Sequence, residues 1–167
     1  MLAHTVIIIT SGLAGKASPD ALDRALVELT RNKKSPVLVL GADGDEILRT
    51  CQELEKAEIV FDPNLSGAFS PVKAGLHTTA APAFIWSIDQ KFPDPLVWKR
   101  LEDAIRTDEF PSPTIELLAV EGDASGLLLT TLNGTKRLKE RAAADQWPDA
   151  PDLKIHRLQA FTSETGA

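Results

Sequence analysis

Two kinds of residue in this sequence have types and spacings suited to chemistry on phosphates. The first is a short glycine turn with a lysine, "SGLAGKAS", which holds Gly12, Gly15 and Lys16. Glycines let a backbone close around an anion, and a lysine ammonium can meet phosphate oxygens. The turn is no Walker A loop, because two residues separate Gly12 from Gly15-Lys16 and that motif needs a longer spacer. Residues alone therefore leave two readings: a phosphate contact, or the plain exit from a first strand. The second kind is a set of carboxylates that follow strand-like runs: Asp43, Asp62 and Asp89.

The elements that must position them are readable from periodicity. "HTVIIIT" (His4–Thr10) is β-branched and continuously apolar, as expected of a strand buried on both faces. "SPDALDRALVELTRN" follows as a helix, with Ser18 as cap, Pro19 at its first position and Leu22, Ala25, Leu26 and Leu29 on one face. "SPVLVLG" (Ser35–Gly41) is a second strand. "GDEILRTCQELEKA" is a second helix capped by Asp45, and "EIVFD" (Glu58–Asp62) is a third strand. "PAFIWSID" (Pro82–Asp89) is a fourth strand, and "DPLVWKRLEDAIRT" is a helix capped by Asp94 with Pro95 at its first position. Two apolar runs flank "EGDASG" as a hairpin, a basic helix follows, and Leu153–Phe161 reads as an edge strand. Trp86 and Trp98 are expected in the core and Trp147 at the surface. His77 lies on the helix after the Gly67–Gly75 loop, and facing the cleft is the lesser of its two readings.

Three strand–helix alternations imply a mostly parallel, twisted sheet with helices on both faces, an α/β three-layer fold of Rossmann-like type. Ligands of such sheets gather beyond the carboxyl ends of the strands, where the residues after each strand sit. The 167 residues fit a single domain, 1–167.

Composition narrows the function classes. A net charge of -6 argues against a general binder of nucleic acid or acidic membrane. The basic residues Lys136, Arg137, Lys139 and Arg141 read as a solvated helix face. No apolar run approaches the roughly 18 residues that span a bilayer. A single cysteine, Cys51, makes no intrachain disulfide, which suits a reducing compartment and a cytoplasmic protein. The three histidines, His4, His77 and His156, show no metal-ligand spacing. The oligomeric state is left open.

The segment "FDPNLSGAFSPVKAGLHTTAAPAFIWSIDQKFPDPLVWKRL" resembles the MobA-like nucleotidyltransferases, the molybdenum cofactor guanylyltransferase family. In that family a carboxylate or amide follows the third strand, and a Gly–Ser/Pro–Gly loop opens the next helix. The corresponding positions are Asp62, Gly67, Ser70, Pro71 and Gly75. The family's fourth strand ends in an aspartate ahead of a Phe and an Asp-Pro helix start, matched by Asp89, Phe92, Asp94 and Pro95. The resemblance implies a nucleotide-diphospho-sugar transferase type of fold. It further implies Mg²⁺ on Asp89, phosphates on Lys16 with Gly12 and Gly15, and a nucleotide held by Asp62 and the Gly67–Gly75 loop. The implied reaction transfers a guanylyl or cytidylyl group from GTP or CTP to a molybdopterin-type acceptor. This sequence departs from the pattern in its signature loop, which is shortened and lacks the family's Arg and Met-Gly pair. The resemblance is therefore to a divergent member. Two alternatives stand beside the enzyme: a non-catalytic relative that binds a ligand or partner, and a nucleotide-sugar-binding protein of the same fold.

Overall fold

The computed structural model describes residues 5–10, 19–42, 44–65, 67–142, 147–148 and 151–160. A seven-stranded sheet runs through the middle of the chain. Its strands are β1 (Thr5–Ile9), β2 (Ser35–Leu40), β3 (Glu58–Phe61), β4 (Phe84–Ser87), β5 (Leu117–Val120), β6 (Leu128–Thr130) and β7 (Ile155–Leu158), in the spatial order β3-β2-β1-β4-β6-β5-β7. β1 pairs in parallel with both β2 and β4, β2 with β3, and β5 with β7; β6 alone runs antiparallel, between β4 and β5. The helices are α1 (Pro19–Arg31), α2 (Asp45–Thr50), α3 (Phe69–Leu76), α4 (Pro95–Arg106) and α5 (Leu132–Glu140).

Alternation along the strands divides the core between two faces. Val6 and Ile8 of β1 join Leu22 and Leu26 of α1, Ile47 of α2, and Trp98 and Leu101 of α4. Ile7 and Ile9 point the other way, against Phe69, Val72 and Leu76 of α3 and Leu138 of α5. Helices therefore cover both faces, and the architecture is the three-layer, mostly parallel Rossmann-like α/β fold that the alternation predicts. β1 reads as one unbroken apolar run because neither of its faces meets water. Among the described residues no helix is long and apolar enough to cross a membrane.

The Asp94 cap forms as expected: its carboxylate accepts from Leu96 N at 3.0 Å, with Pro95 in the first turn. The hairpin forms too, although its second strand inserts beside β4. β7 lies at the edge beyond β5, within the expected Leu153–Phe161; Phe161 is outside the described residues.

Two local expectations are corrected. The second helix does not run to Ala57. It stops at Thr50, and Cys51 is extended (φ -73, ψ 139) before a short 3-10 turn at Leu54–Lys56. The cause lies in α1: the Asp23 carboxylate accepts from Gln52 N and Glu53 N, both at 3.0 Å, taking donors that a continuing helix would use. Nor does Asp45 cap α2; Gly44 is the N-cap and Asp45 lies in the first turn, where its charge favours the helix dipole.

Candidate functional site

β1 leads outward through β2 to β3 on one side, while β4 lies on its other side. The order reverses between β1 and β4, which makes this the switch point where open α/β sheets form ligand crevices. A cavity of about 360 Å³ lies there, beyond the carboxyl ends of the two strands. Its floor is Ile9, Ser87, Asp89 and Gln90; Ala68 and Val72 of the α3 region, Gly126 and Leu128 of the hairpin, and Trp147 with Pro148 form its walls.

The backbone fixes Asp89 at the rim. Ile88 N donates to Ile9 O at 3.1 Å, which extends the β1–β4 pairing by one step, and the buried Ile88 side chain anchors it. Gln90 N then donates to Ser87 O at 3.0 Å and closes a turn with Asp89 in its second half. Trp86 Nε1 donates to Lys91 O at 3.1 Å, and the Trp86 and Phe92 rings meet edge to face at 5.4 Å. The segment carrying Asp89 is thus tied down on both sides. The Asp89 carboxylate itself is exposed and has no partner among the described residues. It is the one charged side chain among the described lining residues.

α3 returns antiparallel to the strands, so its first turn faces the cavity. Gly67, at φ +70, turns the chain into it with a backbone that other residues rarely adopt. The far wall depends on a clasp. Arg141 pairs with Asp152 at 2.9 Å, and Lys73 Nζ donates to Arg141 O, so both ends of the segment bearing Trp147 are held. Arg141's guanidinium, chiefly through its hydrogen bond, holds the Asp152 carboxyl below the usual aspartate range. Trp147 stacks on Phe69 at 5.4 Å and is half-buried, where the sequence suggests an exposed indole. Lys136 and Arg137 are exposed, as expected of a solvated face; Lys139 and Arg141 have structural bonds instead.

Of the candidate residues, the structure brings Asp89 to the cavity. Gly12, Gly15 and Lys16, together with His4, Ser18 and Asp43, lie outside the described residues. Asp62, Gly67, Ser70, Pro71 and Gly75 are not among the described lining residues. Asp62 accepts from Asn64 N at 2.9 Å, a local turn at the exit of β3. Within α3, Pro71 is buried and Ser70 half-buried. Gly75 serves packing: a Cβ there would come within 2.4 Å of Ile7 Cγ2, so α3 sits closer to the sheet than a side chain allows. His77 is exposed at the C-terminal end of α3 and is not among the described residues that line the cavity. Cys51 is half-buried, and burial first, then the charges of Asp23 and Asp20, push its thiol up to about 11, which makes it a poor nucleophile.

No group of three or more His, Cys, Asp or Glu suited to a metal ion occurs among the described residues. A lone carboxylate still fits Mg²⁺, which commonly takes one or two carboxylates and completes its shell with water and phosphate oxygens.

No family model matches the sequence, and no curated protein matches it. Solved structures do resemble the fold, among them two crystal structures of one protein. One is Rv0371c from Mycobacterium tuberculosis H37Rv, with a TM-score of 0.59 at 15% identity, covering 97% of this chain and 92% of that one. The other is Rv0371C in complex with manganese, from the same organism, with a TM-score of 0.63 at 14% identity, covering 96% and 89%. At such low identity the likeness shows that the arrangement of strands and helices is shared, and shows no more than that.

Proposed function

We propose that the chain is a MobA-like nucleotidyltransferase-family protein that binds a nucleotide in the switch-point cavity. The supporting observation is Asp89: a carboxylate without a partner among the described residues, held by the backbone at the carboxyl end of β4, at the crevice where this fold class takes ligands. In this reading Asp89 holds Mg²⁺, which when bound would draw the phosphates of GTP or CTP to a wall whose described residues otherwise carry a single negative charge. Trp147, backed by the buried Phe69 ring on which it stacks, supplies an aromatic side to the cavity. Lys16 is the proposed second cationic contact, and a molybdopterin-type acceptor the proposed recipient of the nucleotidyl group. The manganese complex of the neighbour Rv0371C recommends Mn²⁺ beside Mg²⁺ as a test ion.

Calorimetric titration with GTP, CTP and ATP, with and without Mg²⁺ or Mn²⁺, on wild type and Asp89→Ala, tests the reading. Metal-dependent binding lost in Asp89→Ala supports it; no binding of any nucleotide sinks it. A second reading has one observation in its favour. The described walls are mostly apolar, which suits a non-catalytic ligand-binding relative. Metal-independent binding, or preference for a nucleotide-sugar over a free triphosphate, would favour that reading.

A further inference from the structure

A second cavity, of about 390 Å³, opens on the other face of the sheet, between α1 and α4. It shares no described lining residue with the Asp89 cavity. Its apolar side is Phe92, Pro93, Pro95 and Trp98, and its polar side includes Lys34, Lys99 and Glu102. A flat apolar body fits such a slot, because a tryptophan and two prolines offer rigid faces that lose little entropy on contact.

The charges are arranged unequally. Glu28 pairs with Arg31 at 2.9 Å, and Glu102 pairs with Lys34 at 2.5 Å. Lys99 is exposed and has no partner among the described residues. Lys34 is the unusual group: its side chain is 11% exposed, and its ammonium lies 5.7 Å from the Trp98 ring centroid and 5.8 Å from that of Phe84. An ammonium carries three N–H donors. The described residues offer these donors one carboxylate oxygen and two ring faces. With Glu28 held by Arg31 and Glu102 by Lys34, the charge left over among the described lining residues is that of Lys99; Glu102 Oε1, buried against the Lys34 ammonium, makes no well-directed hydrogen bond of its own.

We propose that this cavity binds a small aromatic monocarboxylate, its ring against Trp98 and the prolines and its carboxylate toward Lys99 and Lys34. The site would be separate from nucleotide binding. The Lys34 ammonium lies over the ring of Phe84, the first residue of β4, whose strand leads on toward Asp89 on the other face of the sheet.

The test is titration of the full chain with benzoate, phenylacetate and 2-naphthoate, each beside its neutral amide, followed by calorimetry and indole fluorescence. The expected result is saturable binding of at least one acid, about tenfold tighter than its amide, the size of a single charge-assisted hydrogen bond. Lys99→Glu, an exposed change, should weaken the acid by a similar factor, whereas Asp89→Asn should leave it unaltered. The paired change Lys34→Gln with Glu102→Gln removes both buried charges together and should reduce the acid to the affinity of the amide in a protein that still melts cooperatively. The proposal is overturned if no acid saturates, if amide and acid bind alike, if Lys99→Glu changes nothing, or if Asp89→Asn weakens the acid.

Discussion

Glu116 and Asp89 are both carboxylates beside strands of one sheet, and they have opposite fates. Glu116 immediately precedes β5 and is 4% exposed. Its Oε1 accepts from Lys154 N at 3.1 Å, its backbone oxygen accepts from Thr131 N at 3.0 Å, and Arg137 Nε stands 3.8 Å from Oε2. Asp89 comes after β4, beyond the carboxyl end of a central strand, exposed and without a described partner. Around Glu116 the polar groups satisfy one another: Ala83 N donates to Thr130 Oγ1, which bonds Thr135 Oγ1 at 2.6 Å, and Thr135 Oγ1 donates to Ala81 O. A carboxylate enclosed in such a network holds the fold. One presented at a cavity rim with nothing to hold is available to a ligand.

The sharpest way to break the Glu116 side is at Gly134. A Cβ there would lie 1.9 Å from Glu116 O and 2.7 Å from its carbonyl carbon, and backbone cannot step aside as a flexible side chain would. Gly134→Ala should therefore cost about 3 kcal/mol or more, at the upper end of overpacking effects, and urea melts would show it. An unaltered midpoint would mean that α5 does not press on β5 as described.

Glu116→Ala comes next. It takes the acceptor from Lys154 N in a part-buried hydrogen bond and should cost about 1.5 kcal/mol, toward the low end of the range for a donor that loses its partner. Glu116→Gln keeps an acceptor oxygen and should cost less. Equal losses in the two variants would place the effect in the charge facing Arg137.

Some of this division is visible in the sequence, and some is not. β1, β2 and β4 are legible because burial on both faces enforces unbroken apolar runs, and α4 because Asp94-Pro95 is a local signal. Asp89 is legible as a strand-end carboxylate in a matching register. The end of α2 is not, because Asp23, 29 positions earlier in the chain than Gln52, ends it. Gly75 and Trp147 mislead for a related reason. A glycine beside Ser-Pro looks like a ligand loop, yet what requires it is Ile7 across the sheet. An indole in a polar, proline-bearing stretch carries no period, so nothing in the sequence announces its stacking on Phe69.

A smaller effect separates surface pairing from burial. Arg100's guanidinium, mainly through its hydrogen bonds and then through its charge, holds the Glu109 carboxyl below the usual glutamate range. A lowered folded-state pKa adds stability above the unfolded value, about 4.3, and that stability is lost as pH falls through the folded value. Glu109 is half-exposed, so solvent screening limits the contribution to less than about 1 kcal/mol. Melts of wild type and Glu109→Gln should differ modestly at pH 7 and converge as pH falls below about 4. A difference that persists at low pH would assign the effect to packing.

The smallest expected change in stability is at Asp89, and its smallness is the point. Asp89→Asn removes a charge that bonds nothing in the described structure, at a rim where Ile88 and Lys91 fix the backbone without it. Midpoints should shift by no more than about 0.5 kcal/mol, as for a surface change away from any network. If metal-dependent nucleotide binding falls at least tenfold in that same variant, the carboxylate serves a ligand and not the fold. If stability falls instead, by the amount expected of Glu116→Ala, Asp89 has an internal partner and belongs with Glu116 as a structural carboxylate.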